Sequence, residues 1–570
     1  MSLESGDIYI DALVGGSWKT KPGTGAVLTY NFMTTAPTDV PDGDVTGFAV
    51  LTAVQQDGVK KALATWAAVA NVSFFGFSGS GDIQFGTSNQ GTDSGGFAYM
   101  SRGPGDPAYV FTNNVSDVNF SFGDGGYGLM TIIHEIGHAL GLKHPGDYNA
   151  GGAVAKGPFL PEDYDNTDYT LMSYNDGYAF YALGKYAATP MMLDIQAVQY
   201  LYGANMTYHA FADTYRVTTS TAPMCIWDAG GTDTLDFSGC SGKTVIDLNE
   251  ASFSSTGGDN YNVSIAYNVV IERAIAGNGG SVIITNEEGN TIIGGTGDDL
   301  VYLGGGDDVV TGGGGKDTAV FYSDYSDYLL SGTTASLKVV GDGTDMLNGI
   351  KELKFDDRTI DLSGYVAVRA GTNLKDVITA GAGNELVTGG AGLDVEKFGG
   401  ARANYTVKAD GGAFTVTDLA GNGGKDLLGG IERLQFADGS GVALDIDGAA
   451  GQTYRLYQAA FNRKPDAGGV GFWLDQLDHG LTLLKMAQFF LDSPESVRTY
   501  GALDNTAFVK VMYQNVLHRA PDAEGLKFYL DGFDAGAFTR AQALQGFSES
   551  AENQAAVIGS ITNGVEYTIV

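Results

Sequence analysis

Residues 134–145 read HEIGHALGLKHP, and they contain three of the six histidines in a chain of 570 residues. Residues four apart share one face of a helix, so the imidazoles of His134 and His138 can approach one ion together. Glu135 lies beside the first histidine, where its carboxylate can turn toward a water molecule on that ion. This spacing predicts a helix that carries a site for one metal ion.

The residues after this helix complete the predicted site. Gly141 has no β-carbon, so the chain can leave the helix in a conformation that other residues resist. That turn brings His144 back as a third ligand beside His134 and His138. Three nitrogen ligands leave the fourth position of a zinc ion open to water, and Glu135 is then placed as the general base. A chance grouping of three surface histidines is the alternative, and the scarcity of histidine in this chain disfavours it.

A second element, LMSY (171–174), follows downstream. Met172 is predicted to form an apolar floor beneath the metal without binding it. Tyr174 is predicted to reach the zinc or to donate a hydrogen bond to a substrate oxyanion. Core packing is the alternative explanation for both side chains.

The composition restricts the partners of the chain. Asp and Glu outnumber Lys and Arg by 67 to 32, which gives a formal charge of −35. This charge excludes nucleic acid and anionic membranes as expected partners, and it suits a protein that binds calcium through oxygen ligands. A merely soluble acidic surface would have the same charge, so this observation alone does not separate the two explanations.

The sequence also bears on the compartment. We expect no transmembrane segment, because no run approaches the roughly 18 apolar residues of a membrane span. The N-terminal residues lack the basic and apolar regions of a signal peptide, which leaves the cytoplasm or an export route that reads no N-terminal signal. The two cysteines, Cys225 and Cys240, exclude a disulfide scaffold and leave either one bridge or two buried thiols.

A nine-residue period occupies the middle of the chain. Its consecutive units are GGTGDDLVY (294–302), LGGGDDVVT (303–311) and GGGGKDTAV (312–320). An apolar column recurs two residues after the acidic column, which a flexible Gly/Asp linker would not maintain. The pattern predicts a parallel β-helix that binds several structural calcium ions. The predicted ligands in the acidic column are Asn290, Asp299, Asp308 and Asp317.

Changes in composition and periodicity along the sequence predict a multidomain chain with four segments. Residues 321–450 contain a duplication, GTDMLNGIKELKF (343–355) and GKDLLGGIERLQF (424–436), with degenerate repeats between the copies at Asp376, Glu385 and Asp394. A tandem pair with helical spacing follows, YQAAFNRKPDAGGVGFWLDQL (457–477) and YQNVLHRAPDAEGLKFYLDGF (513–533). The predicted segments are an α+β metal-binding domain (1–205), a parallel β-roll (206–320), a duplicated β region (321–450) and an all-α domain (451–570).

Several motifs together resemble the serralysins, secreted zinc proteases of the metzincin group. They are HEIGHALGLKHPGDYNAGG (134–152), LMSY (171–174), LDIQAVQYLYGAN (193–205), VGGSW (14–18), LTYNF (28–32) and GGFAYM (95–100). The resemblance covers residues 8 to about 320 and implies zinc endopeptidase activity on proteins or peptides. It also implies that an edge strand pairs with extended substrate. The residues of that strand are Gly96, Phe97, Ala98 and Tyr99.

The same resemblance implies further calcium ligands and a route of export. In a serralysin-like roll one turn takes two repeats, so ligands pair eighteen residues apart. Such repeats accompany type I secretion without a signal peptide, and the C-terminal VEYTIV loosely resembles the secretion tail of that group. The additional ligands carried over by resemblance are Asp228, Gly230, Gly231, Asp233 and Glu272.

Two other functions stay open at this point. The chain could be a surface-layer or adhesive calcium-binding protein in which the protease lobe is secondary, or a zinc hydrolase of non-peptide substrates. The helical pair resembles an uncharacterised domain fused to calcium-repeat proteins, which suggests attachment to a cell-surface layer or matrix. A helical cap that protects the edge of the β-roll is the structural alternative.

Overall fold

A computed structural model describes residues 3–92, 94–99, 106–115, 120–148 and 156–570. The chain forms two compact units, Met1–Val320 and Phe321–Val570. The first contains an α+β lobe and a parallel β-roll, and the second contains further β structure and an all-helical region. The predicted fold class is therefore confirmed, whereas the finer division into four segments stays a prediction.

The α+β lobe of the first unit packs helices against a mostly parallel sheet. The helices are α1 (Ile8–Asp11), α2 (Ala53–Val69), α3 (Tyr127–Leu140), α4 (Tyr178–Leu183) and α5 (Met192–Tyr202). The strands are β1 (Ala26–Phe32), β2 (Val72–Gly76), β3 (Ile83–Ser88), β4 (Gly96–Tyr99) and β5 (Ala108–Asn113). Their order is β2-β1-β3-β5-β4, and β4 runs antiparallel to β5 at one edge of the sheet.

Local hydrogen bonds fix the two long helices of this lobe. The hydroxyl of Thr52 accepts from Gln55 N, and the Gln55 side chain accepts from Thr52 N, so a capping box begins α2. Trp66 near the end of α2 is fully buried and donates its indole N–H to the carbonyl of Ile133 on α3 over 3.0 Å. This bond holds α2 against the helix that carries the histidines.

Gly141 ends α3 as the sequence predicts. Its φ is 106°, a left-handed conformation that favours glycine. A β-carbon at this position would lie 2.4 Å from the carbonyl oxygen of Gly16, so the position also needs glycine for space. The N–H groups of Gly15 and Gly16 both donate to the Gly141 carbonyl over 2.8 Å, and Trp18 donates to Ala139 O over 2.8 Å. The motif VGGSW therefore clamps the end of α3.

The β-roll of the first unit is built from short strands that pair in parallel, except that β10 pairs antiparallel with β11. They are β6 (Thr214–Arg216), β7 (Met224–Ile226), β8 (Thr234–Asp236), β9 (Thr244–Asp247), β10 (Phe253–Ser254), β11 (Val263–Ile265), β12 (Arg273–Ile275), β13 (Ser281–Ile284), β14 (Thr291–Ile293), β15 (Leu300–Tyr302), β16 (Val309–Thr311) and β17 (Thr318–Val320). One ladder contains β6, β8, β12, β14 and β16, and the other contains β9, β13, β15 and β17.

The nine-residue pattern sets the register of these ladders. Val301 pairs with Ala319 in one ladder and Ile292 pairs with Val310 in the other, so equivalent repeats stack two units apart. All four side chains are at most 1% exposed. The apolar column therefore points inward, as predicted from the sequence.

The second unit begins with a duplicated β region. Its strands are β18 (Leu329–Thr333), β19 (Ser336–Val340), β20 (Thr344–Asn348), β21 (Glu352–Lys354), β22 (Thr359–Asp361), β23 (Ala367–Ala370), β24 (Val377–Thr379), β25 (Glu385–Thr388), β26 (Val395–Phe398), β27 (Tyr405–Asp410), β28 (Ala413–Asp418), β29 (Lys425–Gly429), β30 (Arg433–Phe436) and β31 (Ser440–Ala443). Each copy of the duplication follows an antiparallel hairpin, β18–β19 in the first and β27–β28 in the second. Parallel pairing of β24, β26 and β30, and of β23, β25 and β29, forms a second roll.

One residue breaks the apolar column of this second roll. Glu396 pairs in register with Ile378 on one side and Leu434 on the other. It is 0% exposed, and both carboxylate oxygens lack a hydrogen-bond partner among the described residues. Burial, followed by the neighbouring Asp426 and Glu385 carboxylates, raises the pKa of Glu396 well above its usual range.

The C-terminal region is helical and repeats its local chemistry. Its helices are α6 (Ala449–Phe461), α7 (Ala467–Asp478), α8 (Leu483–Asp492), α9 (Pro494–Tyr500), α10 (Asn505–Leu517), α11 (Ala523–Asp534), α12 (Arg540–Ser548) and α13 (Ala551–Ile561). Pro465 and Pro521 lie in equivalent loops, as predicted, and the following Asp466 and Asp522 cap α7 and α11. Each loop also carries an arginine paired with a glutamate of a later helix. These ion pairs are Arg463–Glu495 and Arg519–Glu552.

The C-terminal VEYTIV is part of the folded unit. Strand β32 (Val565–Thr568) pairs antiparallel with β31, and Tyr567 is buried. The role of this segment as a secretion tail stays a prediction.

Cys225 and Cys240 are both buried free thiols, the second of the two expected states. Among the described residues no helix is long and apolar enough to cross a membrane.

Candidate metal centre and substrate cleft

The three predicted zinc ligands converge at the end of α3. The Nε2 atom of His144 lies 3.0 Å from His138 Nε2 and 3.3 Å from His134 Nε2. The loop that follows Gly141 brings His144 back beside the helix, as the sequence predicts. Ligand nitrogens of a tetrahedral zinc ion with bonds of about 2.1 Å stand roughly 3.4 Å apart, so this spacing suits zinc.

Contacts of the Nδ1 atoms fix the tautomers of the two helical histidines, His134 and His138. Nδ1 of His134 lies 2.6 Å from the carbonyl of Leu171, and Nδ1 of His138 lies 2.9 Å from the carbonyl of Leu142. A carbonyl can only accept, so both Nδ1 atoms carry the proton and both Nε2 atoms present lone pairs. Both lone pairs lie within 3.3 Å of His144 Nε2, where they are available to one metal ion.

Burial keeps these imidazoles neutral. It is the largest cause lowering the pKa of His134 to about 4, with the neighbouring His144 as the second cause. Burial, with His134 and His144, also lowers the pKa of His138 well below its usual range. Neutral imidazoles are the form that binds a metal, so the residues present fit a zinc ion.

Glu135 faces a cleft of about 550 Å³ beside the histidines. Its side chain is 5% exposed, and its Oε2 atom has no hydrogen-bond partner among the described residues. Burial raises the pKa of Glu135 to about 8. A carboxyl group with such a pKa can both take and return a proton near neutral pH, as a general base requires.

The predicted edge strand forms one wall of this cleft. Gly96 on β4 lies so close to α3 that a β-carbon there would be 3.2 Å from Cγ of Glu135 and 3.1 Å from Cγ2 of Thr131. A β-carbon on the neighbouring Gly95 would lie 2.5 Å from the hydroxyl oxygen of Tyr127. Phe97 stacks on Phe111, and Ala98 and Tyr99 pair with β5. The quoted motif extends to Met100, which lies outside the described residues.

Met172 packs against α3, the helix that carries two of the histidines, and its place beneath the metal stays a prediction. It is fully buried, and a β-carbon on Gly137 of α3 would lie 2.7 Å from its sulfur. The chain before it is held by Asp194 of α5, whose carboxylate accepts from Thr170 Oγ1 over 2.5 Å and from Leu171 N over 2.7 Å. Since the Leu171 carbonyl accepts from His134, Asp194 supports the metal site through one intervening residue.

Tyr174 stands at the mouth of the cleft and is 52% exposed. Its ring centroid lies 4.3 Å from that of His144 and 6.0 Å from that of His134. Burial is the largest cause raising the pKa of Tyr174 to about 12, with Glu135 as the next cause. The phenol therefore keeps its proton at neutral pH and can donate a hydrogen bond into the cleft.

A second cluster lies at the start of the β-roll. Carboxylate oxygens of Asp213, Asp228 and Asp233 all lie within 4.8 Å of one another. Asp233 is 0% exposed, and its Oδ2 atom lacks a hydrogen-bond partner among the described residues. Burial, with the neighbouring carboxylates of Asp228 and Glu272, raises the pKa of Asp233 to about 6. His209 Nδ1 lies 2.9 Å from Asp213 Oδ1, on one side of the cluster. The crowded carboxylate oxygens fit a calcium ion.

The other residues carried over to this cluster lie beside it. Glu272 accepts from Asp233 N over 2.7 Å, and Gly230 donates to Asp228 over 2.7 Å. Gly231 passes close to Phe211, where a β-carbon would lie 2.5 Å from the Phe211 carbonyl oxygen. Their positions are compatible with the predicted ligand set, which stays a prediction.

The repeat carboxylates stack eighteen residues apart. Asp317 accepts from Asp299 N over 3.0 Å, and Asp308 accepts from Asn290 N over 2.7 Å. Asp299 in turn accepts from Ser281 N and Gly295 N. Asn290 differs, because its Nδ2 donates to the Ile271 carbonyl over 3.2 Å. The side chain of Asn290 thus presents an N–H group on this side, whereas a calcium ion there would need an oxygen ligand.

Sequence reasoning missed two residues of these sites. Asp213 lies in no repeat, so the sequence gives no sign of it. The folded structure brings it to the cluster, where its N–H donates to Asp233 Oδ1 over 2.8 Å. Asp194 is inside the quoted motif LDIQAVQYLYGAN, but its partners lie more than twenty residues away along the chain. A buried Asp near the start of a helix was the available signal for Asp194.

Comparisons with known proteins agree with this site. The matching family profiles are Peptidase M10 serralysin C terminal at residues 192–360, the RTX calcium-binding nonapeptide repeat at residues 371–396, and a domain of unknown function, DUF4214, at residues 453–496 and 487–557. The repeat profile falls on the segment predicted to hold degenerate repeats. The profile on the helical region names no function, so the predicted attachment to a surface layer gains no support from it.

Curated relatives match about half of the chain. Metalloprotease AprA of Pseudomonas entomophila (strain L48) is 38% identical over 304 residues, which is 49% of this chain and 63% of that protein. Serralysin A and serralysin C of Dickeya chrysanthemi are 40% and 42% identical, each over 46% of this chain and 59% of the relative. The chain thus spans about six tenths of the length of these relatives. The resemblance to serralysins is confirmed over the matched part.

Proposed function

We propose that this protein is a secreted zinc endopeptidase, stabilised by calcium, that hydrolyses peptide bonds in proteins. The convergence of three neutral imidazole nitrogens beside the buried carboxyl of Glu135, in a cleft bordered by an edge strand, carries the proposal. The similarity to proteins named metalloprotease and serralysin supports the same reaction class.

The proposed mechanism assigns one task to each part of the cleft. A zinc ion held by His134, His138 and His144 would act as a Lewis acid and lower the pKa of a bound water. Glu135 takes the proton from the attacking water and returns it to the leaving amine. Tyr174 donates its phenolic hydrogen to the carbonyl oxygen as negative charge develops there.

Strand β4 binds the substrate in this proposal. Peptide backbone in an extended conformation can add to the free edge of a sheet through main-chain hydrogen bonds. The glycines at 95 and 96 let this edge approach α3, so a bound scissile peptide lies beside Glu135. Recognition of backbone favours peptide substrates over other substrates of a zinc hydrolase.

The calcium sites indicate where the enzyme works. Ions that bind only the folded chain stabilise it by mass action, and calcium is abundant outside the cell. Without cations, negative charge accumulates at two places in the roll. One is the stack of Asp299 and Asp317, and the other is the cluster around Asp233. We therefore propose an extracellular location, reached by type I secretion, with folding favoured by calcium.

Cleavage of casein by the full chain in zinc and calcium tests the proposal. The wild type should release peptides, and Glu135→Gln should lose at least about 100-fold in kcat, since general-base catalysis contributes roughly 10²–10⁴-fold. Glu162→Gln is the matched control, because Glu162 is an exposed carboxylate on a short surface helix. Its activity should equal that of the wild type.

Two results would contradict the proposal. A wild type that holds one zinc ion but cleaves neither casein nor unfolded protein would exclude peptidase activity. Equal activity of Glu135→Gln and the wild type would exclude Glu135 as the base.

A further inference from the structure

A hydrogen-bonded group beside the cleft holds the residues around Tyr174. The hydroxyl of Tyr148 donates to Asp165 Oδ1 over 2.5 Å, and the hydroxyl of Ser173 donates to the same oxygen over 2.7 Å. The two hydroxyl oxygens lie 3.1 Å apart. One carboxylate oxygen therefore binds together Tyr148, which follows the metal loop, and Ser173, which immediately precedes Tyr174.

The same group touches Tyr174 directly. The N–H of Tyr174 donates to the Tyr148 hydroxyl oxygen over 3.4 Å. The rings of Tyr148 and Tyr174 stack with centroids 5.1 Å apart and planes 23° apart. The next residue, Asn175, donates its amide N–H to Ser173 Oγ and its side-chain N–H to the Asp165 carbonyl. Both neighbours of Tyr174 and one face of its ring are thus fixed.

The position of Tyr174 makes this fixation consequential. Its side chain is half exposed, so few core contacts restrict it, yet its ring lies against His144. A donor that stabilises a developing charge acts well only when it is already oriented before the reaction. The Tyr148 hydroxyl donates to Asp165, while its ring lies beside the rings of Tyr174 and His144, with centroids 5.1 and 5.9 Å away.

We infer that Tyr148, Asp165 and Ser173 are positioning residues that hold the phenol of Tyr174 in its working orientation. The inference rests on the proposed function, because it assigns Tyr174 a role in that reaction. It adds two residues outside the motifs HExxH and LMSY, Tyr148 and Asp165, and it assigns a task to Ser173 within LMSY. Tyr148 and Asp165 act through Tyr174, and Ser173, which also lines the cleft, links them to it.

A double-mutant cycle with a fluorogenic peptide substrate tests the inference in the full, zinc-loaded chain. Tyr148→Phe keeps the stacked ring and removes only the hydroxyl. It should lower kcat about fivefold with KM unchanged, the effect of a loosened catalytic donor. In a Tyr174→Phe background the phenol is already absent, so Tyr148→Phe should have no further effect. Ser173→Ala should behave as Tyr148→Phe does.

Hydrogen exchange supplies a readout that does not depend on activity. Tyr148→Phe removes the acceptor of the Tyr174 amide, so amide exchange in residues 171–177 should become at least about threefold faster, as for any opened local contact. Zinc content should stay at one ion per chain. Tyr322→Phe is the control, because Tyr322 is an exposed phenol in the second unit, and it should change neither measurement.

The outcomes separate the inference from the proposed function. Unchanged exchange in residues 171–177, or the same loss of kcat in both backgrounds, would show that Tyr148 does not act through Tyr174. If the wild type cleaves no peptide, the proposed function fails, and unchanged exchange would still overturn the anchoring of Tyr174.

Discussion

Replacing Glu396 with methionine should stabilise the second unit. The side chain is fully buried between Ile378 and Leu434, and neither carboxylate oxygen has a hydrogen-bond partner among the described residues. An unsatisfied buried polar group costs about 1–3 kcal/mol. Methionine has a similar length and no hydrogen-bonding requirement of this kind, so Glu396→Met should raise the free energy of unfolding by about 2 kcal/mol.

The gain should depend on pH in a definite direction. Burial and the nearby Asp426 and Glu385 raise the pKa of Glu396 in the folded chain, whereas the unfolded side chain titrates near its usual value of about 4.3. Below that value both states are protonated and the folded state has no titration penalty. As the pH rises the unfolded state loses its proton first, so stability falls. The advantage of Glu396→Met should therefore be larger at pH 8 than at pH 4.

Calorimetry of the full chain in calcium measures this difference. A gain of 2 kcal/mol raises the unfolding temperature of a unit of this size by roughly 4–8 °C. Because a chain with two units need not unfold in one step, hydrogen exchange in β26 and β30 locates the gain. Lys397→Met is the control, since Lys397 is the next residue on the strand and is exposed. A lower unfolding temperature for Glu396→Met at pH 8 would show that the carboxylate has a stabilising partner and would refute the reasoning.

Three other substitutions have clear expected outcomes. Gly141→Ala should lower the free energy of unfolding by at least about 2 kcal/mol and should lower the zinc content, because residue 141 has a left-handed φ and its new β-carbon would lie 2.4 Å from Gly16 O. Thermal unfolding and metal analysis measure the two effects. The control is Gly559→Ala, on the open face of α13, which should change neither measurement. Addition of calcium should raise the unfolding temperature of Asp213→Asn less than that of the wild type. The control is Asp259→Asn, at an exposed carboxylate, which should respond as the wild type does. An equal rise in all three proteins would exclude Asp213 as a ligand. Arg369→Gln should destabilise β25 by about 1–2 kcal/mol in hydrogen exchange with EGTA, while Arg402→Gln, at a more exposed pair, should cost less than about 1 kcal/mol.

Periodic patterns explain why much of the fold and of the metal site could be predicted from the sequence. The spacing of His134 and His138 follows from helix geometry, and Gly141 and His144 follow from the need to turn back toward them. The nine-residue period likewise fixes which side chains of the roll point inward, because each repeat contributes one short strand.

Contacts between distant segments explain what the sequence did not predict. Asp194 acts on Thr170 and Leu171, and Asp165 acts on Tyr148, across separations that no spacing rule encodes. Glu396 was visible as an acidic residue in the apolar column of a degenerate repeat. Its consequence depended on burial and on neighbours from other strands, which only the folded structure defines.

The two rolls surround their repeat carboxylates with different groups. In both, a repeat carboxylate accepts from the N–H four residues earlier, as Asp299 does from Gly295 and Glu385 does from Gly381. The extra methylene of Glu385 lets both of its oxygens also reach the Arg369 guanidinium, at 2.8 and 2.9 Å. At Asp299 both oxygens accept from backbone N–H groups, and its own N–H donates to Asp317 of the adjacent turn.

A guanidinium is covalently part of the chain, so its local concentration does not vary with the medium, whereas a calcium ion binds by mass action. Folding around Glu385 therefore carries its own counter-charge. If Asp299 binds the proposed calcium ion, folding around it depends on the calcium concentration that the chain encounters.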